Sequence, residues 1–214
     1  MDFSLARTNM VKSQLAPNGV DNPLLLDAFR LTPREPFVID THKEFAYSDH
    51  ALPLDARRRA LKPLQVARLL QSLTLDNGDR ILVVGAGTGY EAALLASLPV
   101  TVFALESDPR LAEQGRQLTP PGSVQWHVGD LVLGWPEQAP FDGILICGAI
   151  DAIPNPLLAQ LSGRGELVAI VGQPGEPVMR AVRVRGGRDQ QTDTLFETVA
   201  FPLVVEEHPQ SFRL

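Results

Sequence analysis

Residues 80–96 read RILVVGAGTGYEAALLA, and the fold turns on this stretch. RILVV, Arg80–Val84, is a short apolar run with no polar face, which suits a strand buried on both sides. Gly85, Gly87 and Gly89 follow at alternate positions, permitting a tight turn and the close approach of a ligand to the backbone. From about Tyr90 the chain reads as a helix, whose start offers unpaired N–H groups and the positive end of the helix dipole. By itself such a turn serves a dinucleotide, a nucleoside, or only the connection of strand to helix.

Further strand and helix signals alternate downstream of this unit. Thr101–Leu105 is a second strand, followed by a helix near Arg110–Leu118. Val124–Val128 and Gly143–Cys147 are the next strands, Pro154–Leu161 a helix and Glu166–Val171 a fifth strand. Val178–Val184 and Leu195–Phe201 read as an antiparallel pair joined through GGRDQQTDT. This alternation predicts an α/β, Rossmann-like fold: a mostly parallel seven-stranded sheet with a C-terminal antiparallel hairpin. Upstream, Ser4–Leu15 and Pro23–Arg30 read as short helices. A polar connection follows, and Pro63 suits the first position of a helix running to about Leu73. We read residues 1–214 as a single domain, with 1–62 as an N-terminal helical extension and substrate-side segment and 63–214 as the α/β core.

Composition narrows the function. Across 214 residues, 44% are hydrophobic and 21% charged, as in ordinary globular domains. The formal net charge of −6 argues against a nucleic-acid binder. No apolar run approaches the roughly 18 residues of a spanning helix, and the opening MDFSLARTNMVKSQLA lacks a signal-peptide core. With one cysteine, Cys147, the expected setting is the cytoplasm, without a membrane partner. The histidines at 42, 50, 127 and 208 lack metal-ligand spacing, so no metal is expected.

The order of residues along the chain sharpens the glycine turn. Glu106 in ALESDP lies about twenty residues beyond the glycines, where an acid accepts hydrogen bonds from ribose hydroxyls. The third strand ends in HVGD, bringing Asp130 to the same sheet edge, within reach of an adenine amino group. The competing reading makes Glu106 a helix cap and Asp130 a turn former. Trp126 borders either adenine or core, Trp135 packs structurally, and Cys147 reads as a buried thiol.

These motifs resemble the protein-L-isoaspartate O-methyltransferase family, whose turn typically reads E-I-G-T-G-S-G-Y-Q. The resemblance extends to NMVKSQLAPNGV, LTPREPFV, AYSDHALPL, VGDLVLGWPEQAPFDGILI and AIDAIPNPLLAQLSGRGELVAIVG. It implies S-adenosylmethionine as cofactor and S-adenosylhomocysteine as product. The implied contacts are Gly85, Ala86, Gly87, Gly89, Glu106, Ser107, Gly129, Asp130 and Leu131. It also implies transfer of a methyl group to a protein or peptide carboxylate, the isoaspartyl group of damaged proteins, as protein repair. One departure is Val83, where the family carries an acid.

The larger departure is Leu54–Pro63, where the family reads [IV]-G-x-G-Q-x-[IL]-S-x-P with threonine before the aliphatic residue. This chain reads LDARRRALKP, so Arg59 holds the threonine position and Leu61 the serine position. The family's catalytic residues therefore do not carry over, and the catalytic candidates are Asp49 and Arg59. Arg57–Arg59 reads either as a site for an acidic substrate or as a solvated charged run. Asp49 either positions substrate or pairs with an arginine. Four functions follow in order: isoaspartyl methyl transfer, transfer to a changed acceptor, a silent cofactor- or partner-binding protein, and a nicotinamide oxidoreductase.

Overall fold

A computed structural model of the chain describes residues 1–173, 176–187 and 190–203. Seven strands form one sheet: β1 Arg80–Val84, β2 Thr101–Glu106, β3 Val124–Val128, β4 Phe141–Ile150, β5 Leu161–Val171, β6 Met179–Arg185 and β7 Gln191–Thr198. Their spatial order is β3-β2-β1-β4-β5-β6-β7. The first five are mutually parallel, while β6 runs antiparallel to both β5 and β7. The expected mixed sheet with a terminal hairpin is thus borne out.

Because successive side chains alternate across a strand, the apolar run of β1 feeds two cores. Ile81 and Val83 face the layer built by the N-terminal helices, while Leu82 and Val84 face Phe103, Ile144 and Leu157 on the other side. The N-terminal layer holds α1 Phe3–Met10, α2 Pro23–Leu31 and α3 Pro63–Gln71, and α4 Tyr90–Ala96 packs with them. Pro63 opens α3 as expected, and Gln65 closes its first turn by accepting from the Lys62 N–H at 3.0 Å. α5 Pro109–Leu118 links β2 to β3 and is capped by Asp108, which accepts from the Arg110 N–H at 2.8 Å.

Three sequence readings are adjusted. The Ser4–Leu15 helix changes at Val11 to a π-helical turn, Val11–Leu15, which keeps Met10, Val11 and Leu15 all buried. The helix expected over Pro154–Leu161 is one turn, Asn155–Leu158 (α6), because Leu161 already pairs with Phe141 as β5 begins. β7 begins at Gln191, inside the stretch taken as a connection. Asp193 is drawn into the sheet by Arg183 (3.2 Å) and Arg185 (2.7 Å) on β6, and polar residues suit this edge strand. Residues 200–203 instead pair alongside the end of β4 in a parallel bridge, where Ala149 N donates to Phe201 O and Leu203 N to Ala149 O. Among the described residues no helix is long and apolar enough to cross a membrane.

β1 lies between β2 and β4, and at the carboxyl end of these strands the connection from β1 turns toward β2 while the one from β4 turns toward β5. That end is where open α/β sheets form a binding crevice.

Candidate active site

The glycine turn sits at this crevice. Gly85 has φ 70° and Gly87 φ 57°, left-handed conformations in which a β-carbon is strained. Gly85 N and Ala86 N both donate to Leu105 O, which locks the turn against the end of β2. Thr88 Oγ1 donates to Phe37 O at 2.6 Å and ties the turn to the N-terminal extension.

Glu106, the last residue of β2, is the electrostatic centre of the crevice and has no exposed surface. Its Oε2 accepts from Gly87 N at 2.7 Å, and its Oε1 from Ser107 N at 2.8 Å and Asp108 N at 3.0 Å. A buried carboxylate is stable only when so paired. The three backbone donors fix its position independently of any side chain.

A fourth partner is Arg58. Its Nη1 lies 3.1 Å from Oε1 and its Nη2 3.3 Å from Oε2, a bidentate pair, and Nη2 also reaches Gly85 O at 3.0 Å. Arg58 is only 8% exposed. The three arginines therefore do not form the solvated run that charge patterning suggests. Arg58 turns inward, while Arg59 lies exposed over the Phe201 ring, 4.6 Å from its centroid.

The other candidates take varied places. Gly129 N donates to Glu106 O and Leu131 is buried beside β1, so both stand near the carboxyl ends of β1 and β2. Asp130 is exposed, and its Oδ1 accepts from Val132 N at 2.8 Å, forming the turn that the competing reading anticipates. Ser107 is exposed at the start of the next connection. Asp49 accepts from Leu64 N at 3.3 Å and so closes the amino end of α3. Val83 is fully buried in the N-terminal core. Cys147 is a buried free thiol whose pKa burial raises, consistent with a structural role. Trp126 covers Gly115 and Gly89 at the edge of the N-terminal core, and Trp135 stacks on His127 at 4.7 Å.

Two residues at the site escaped the sequence reading. Arg34 is 1% exposed, donates from Nη2 to Leu61 O at 2.8 Å and lies over the Tyr90 ring at 5.2 Å. Glu91, in the first turn of α4, is 5% exposed. Burial raises its carboxyl pKa, against the opposing pull of its own N–H, Arg34 and Arg58. The family turn ends in glutamine at this position, and that contrast was the available signal. Nothing local in LTPREPFV marks Arg34 as buried.

Residues 6–208 match the protein-L-isoaspartate(D-aspartate) O-methyltransferase (PCMT) family. A protein-L-isoaspartate O-methyltransferase of Methylorubrum extorquens is 44% identical over 94% of this chain and 88% of its own. Protein-L-isoaspartate O-methyltransferase 1 of Syntrophobacter fumaroxidans is 42% identical over 80% of this chain and 82% of its own.

The chain belongs to the protein-L-isoaspartate(D-aspartate) O-methyltransferase family.

Solved structures agree on the fold. A protein-L-isoaspartate O-methyltransferase superimposes with a TM-score of 0.80 at 22% identity over 92% of this chain, which spans 65% of that longer one. A Plasmodium falciparum protein described as a putative member, in complex with S-adenosyl-L-homocysteine, gives 0.77 at 18% identity over 92% and 98%. The expected class, an adenosylmethionine-dependent methyltransferase family acting on proteins, is borne out at the level of the family. Within it, this isoaspartyl methyltransferase relative carries arginine, arginine and leucine at 58, 59 and 61.

Proposed function

We propose that this chain binds S-adenosylmethionine across the carboxyl ends of β1, β2 and β3 and methylates a protein or peptide carboxylate, the isoaspartyl group being the acceptor its family implies. The observation that carries this reading is Glu106. It is an acid held by three backbone N–H groups at the end of β2, directly against a turn of left-handed glycines. That arrangement fits a nucleoside: Glu106 takes the ribose hydroxyls, the glycine turn at Gly85, Ala86, Gly87 and Gly89 receives the amino-acid end, and Ser107, Gly129, Asp130 and Leu131 border the base.

When bound, S-adenosylmethionine supplies a methyl group on a positively charged sulfur. A carboxylate acceptor is already ionised near neutral pH, so the chain needs no strong base. Its task is to align the acceptor oxygen and to strip water from it. Arg59 and Asp49 remain the side chains we assign to acceptor positioning. Arg59 is exposed over the Phe201 ring, and Asp49 anchors the amino end of α3.

A changed acceptor is the second reading, and Leu61 favours it. Its side chain is 3% exposed and packed in the N-terminal core, so the position of the family's serine offers no hydroxyl here. A cytoplasmic setting goes with either reading, supported by a single, buried, unpaired cysteine.

The test is calorimetric titration with S-adenosylmethionine and S-adenosylhomocysteine, followed by radiolabelled methyl transfer to an isoaspartyl peptide. Binding with transfer is the expected result. Binding without transfer points to a different acceptor or a silent cofactor-binding role, and absence of binding removes the cofactor reading altogether.

A further inference from the structure

The Glu106 carboxylate and the glycine turn suit a nucleoside, yet the space in front of them is filled by the chain itself. A β-carbon built on Gly85 would collide with Leu203 Cδ1 and stand 3.2 Å from Arg58 Nη2, and one on Gly87 would meet Leu54 Cδ1 at 2.6 Å. The glycine turn that would receive a ligand's backbone approach is therefore packed by Leu54, Arg58 and Leu203. A cavity of about 400 Å³ opens instead on the flank of the turn, lined by Phe37, Val38, Asp40, Leu54, Thr88 and Gln114.

The cover is built in two connected pieces. The first is a tight hairpin. Asp55 Oδ1 accepts from the Arg57 and Arg58 N–H groups, both at 2.7 Å, Leu54 N donates to Arg58 O, and Ala60 N donates to Leu52 O. This turn fixes the backbone of Arg58 so that the guanidinium points at Glu106. The second piece is the 200–203 segment, held to β4 through Ala149. Arg59 over Phe201 joins the two pieces.

The geometry points to Arg58 as an internal competitor for the cofactor's ribose seat, a latch that must be withdrawn from Glu106 before S-adenosylmethionine or its product can bind. This inference rests on the cofactor reading above. Two physical facts support it. The guanidinium spans the carboxylate and Gly85 O, so it occupies both the acid that would take hydroxyls and the backbone beside it. Glu106 also keeps three backbone donors without Arg58, so the seat survives the latch's departure intact. Ala56 and Arg57 of the hairpin are exposed, so Arg58 has water to move into.

A ligand that binds only the withdrawn form has its apparent affinity reduced by that form's population. Removing the guanidinium therefore tightens binding. The experiment is calorimetric titration of S-adenosylhomocysteine into the wild-type chain, Arg58→Gln (glutamine being the family's residue at that place) and Asp55→Ala, each checked for folding by thermal denaturation. Asp55→Ala unties the hairpin while leaving both Arg58 and Glu106 present. The expected result is binding by all three, about tenfold or more tighter in Arg58→Gln, with Asp55→Ala shifted the same way. Equal affinity in the folded variants overturns the latch and leaves cofactor binding standing. Weaker binding by Arg58→Gln also overturns it, since Arg58 would then be a contact of the bound ligand. No binding by any of the three removes the cofactor reading and the latch with it. Should Arg58→Gln fail to fold, Asp55→Ala decides alone: tightening supports the latch, and no change or weakening overturns it.

Discussion

Arg58 and Glu106, 48 residues apart in sequence, meet as a buried bidentate ion pair between a surface hairpin and the end of β2. The pair is asymmetric. Glu106 has three backbone donors besides the guanidinium, whereas Arg58 has Gly85 O as its other acceptor. Breaking a buried pair by removing one member costs about 3–5 kcal/mol, chiefly through the charge left behind. Glu106→Ala strands an arginine and three N–H groups and is expected at the upper end of that range. Arg58→Gln leaves a carboxylate still held by its backbone donors and is expected to cost distinctly less. Urea titration of the two variants measures the difference, and equal losses would contradict this account.

Glu91 sets a pH dependence of stability. Its folded-state pKa is raised by burial above the ordinary 4.5, so the native chain holds a proton that the unfolded chain releases. The native state binds more protons across that window, so the contribution of Glu91 to stability falls as pH rises from 4.5 through the folded value. Glu91→Gln removes this dependence. Its melting temperature is expected to exceed that of the wild-type chain by a few degrees at pH 8 and to converge with it near pH 4. A constant difference across that range would show that titration of Glu91 is not the cause.

Gly115, in the middle of α5, is held by packing rather than by backbone geometry. Alanine in a helix interior normally gains about 1 kcal/mol over glycine, but a β-carbon here collides with the Trp126 ring. Trp126 is anchored by its Nε1–H to Thr119 Oγ1 at 3.3 Å. Overpacking of this kind costs about 1–3 kcal/mol, so Gly115→Ala is expected to destabilise. Adding Trp126→Leu should return part of the loss, and a double-mutant cycle by chemical denaturation would reveal that coupling.

Restoring the family's residues in the hairpin tests the acceptor site. Arg57→Gly, Arg59→Thr and Leu61→Ser together are expected to raise methyl transfer to an isoaspartyl peptide, and adding Arg58→Gln to raise it further. The serine carries a stability cost of about 2–3 kcal/mol, because Leu61 is buried among apolar neighbours. Radiolabelled transfer at a temperature well below each variant's melting point separates the two effects. No gain in a variant that binds cofactor would remove residues 57–61 from the acceptor site.

Arg34 is expected to be a strut between layers. It donates to Leu61 O and lies over Tyr90, and its own N–H donates to the Tyr47 hydroxyl at 3.0 Å. Arg34→Ala would lose the buried hydrogen bond and leave a cavity, with an expected cost of about 2–5 kcal/mol. It should also quicken proteolysis within 52–61 before global unfolding. Cleavage elsewhere first would contradict the strut.

Local patterning carried most of the architecture. RILVV, TVFAL and VQWHV read as strands because an apolar run bounded by turn residues has few other stable places in an α/β sheet. The GAGTGY turn was legible because φ > 0 at Gly85 and Gly87 demands glycine whatever lies nearby. Glu106 stood out because spacing from that turn places it at a strand end on the same sheet edge. Less legible were elements whose limits depend on partners: β7 extends to Gln191 because Arg183 and Arg185 neutralise Asp193 across the ladder.

What the sequence determined by itself was the strand–turn–helix that sets the crevice, the order of its acidic residues, and the family to which they belong. What only the tertiary structure decided was where the charges of Arg34, Arg58 and Glu91 go. Burial of a charged side chain depends on partners brought together from distant segments, and no periodicity of the local sequence encodes them. Arg57, Arg58 and Arg59 are chemically alike along the chain. The Asp55 turn and the buried carboxylate of Glu106 together single out Arg58.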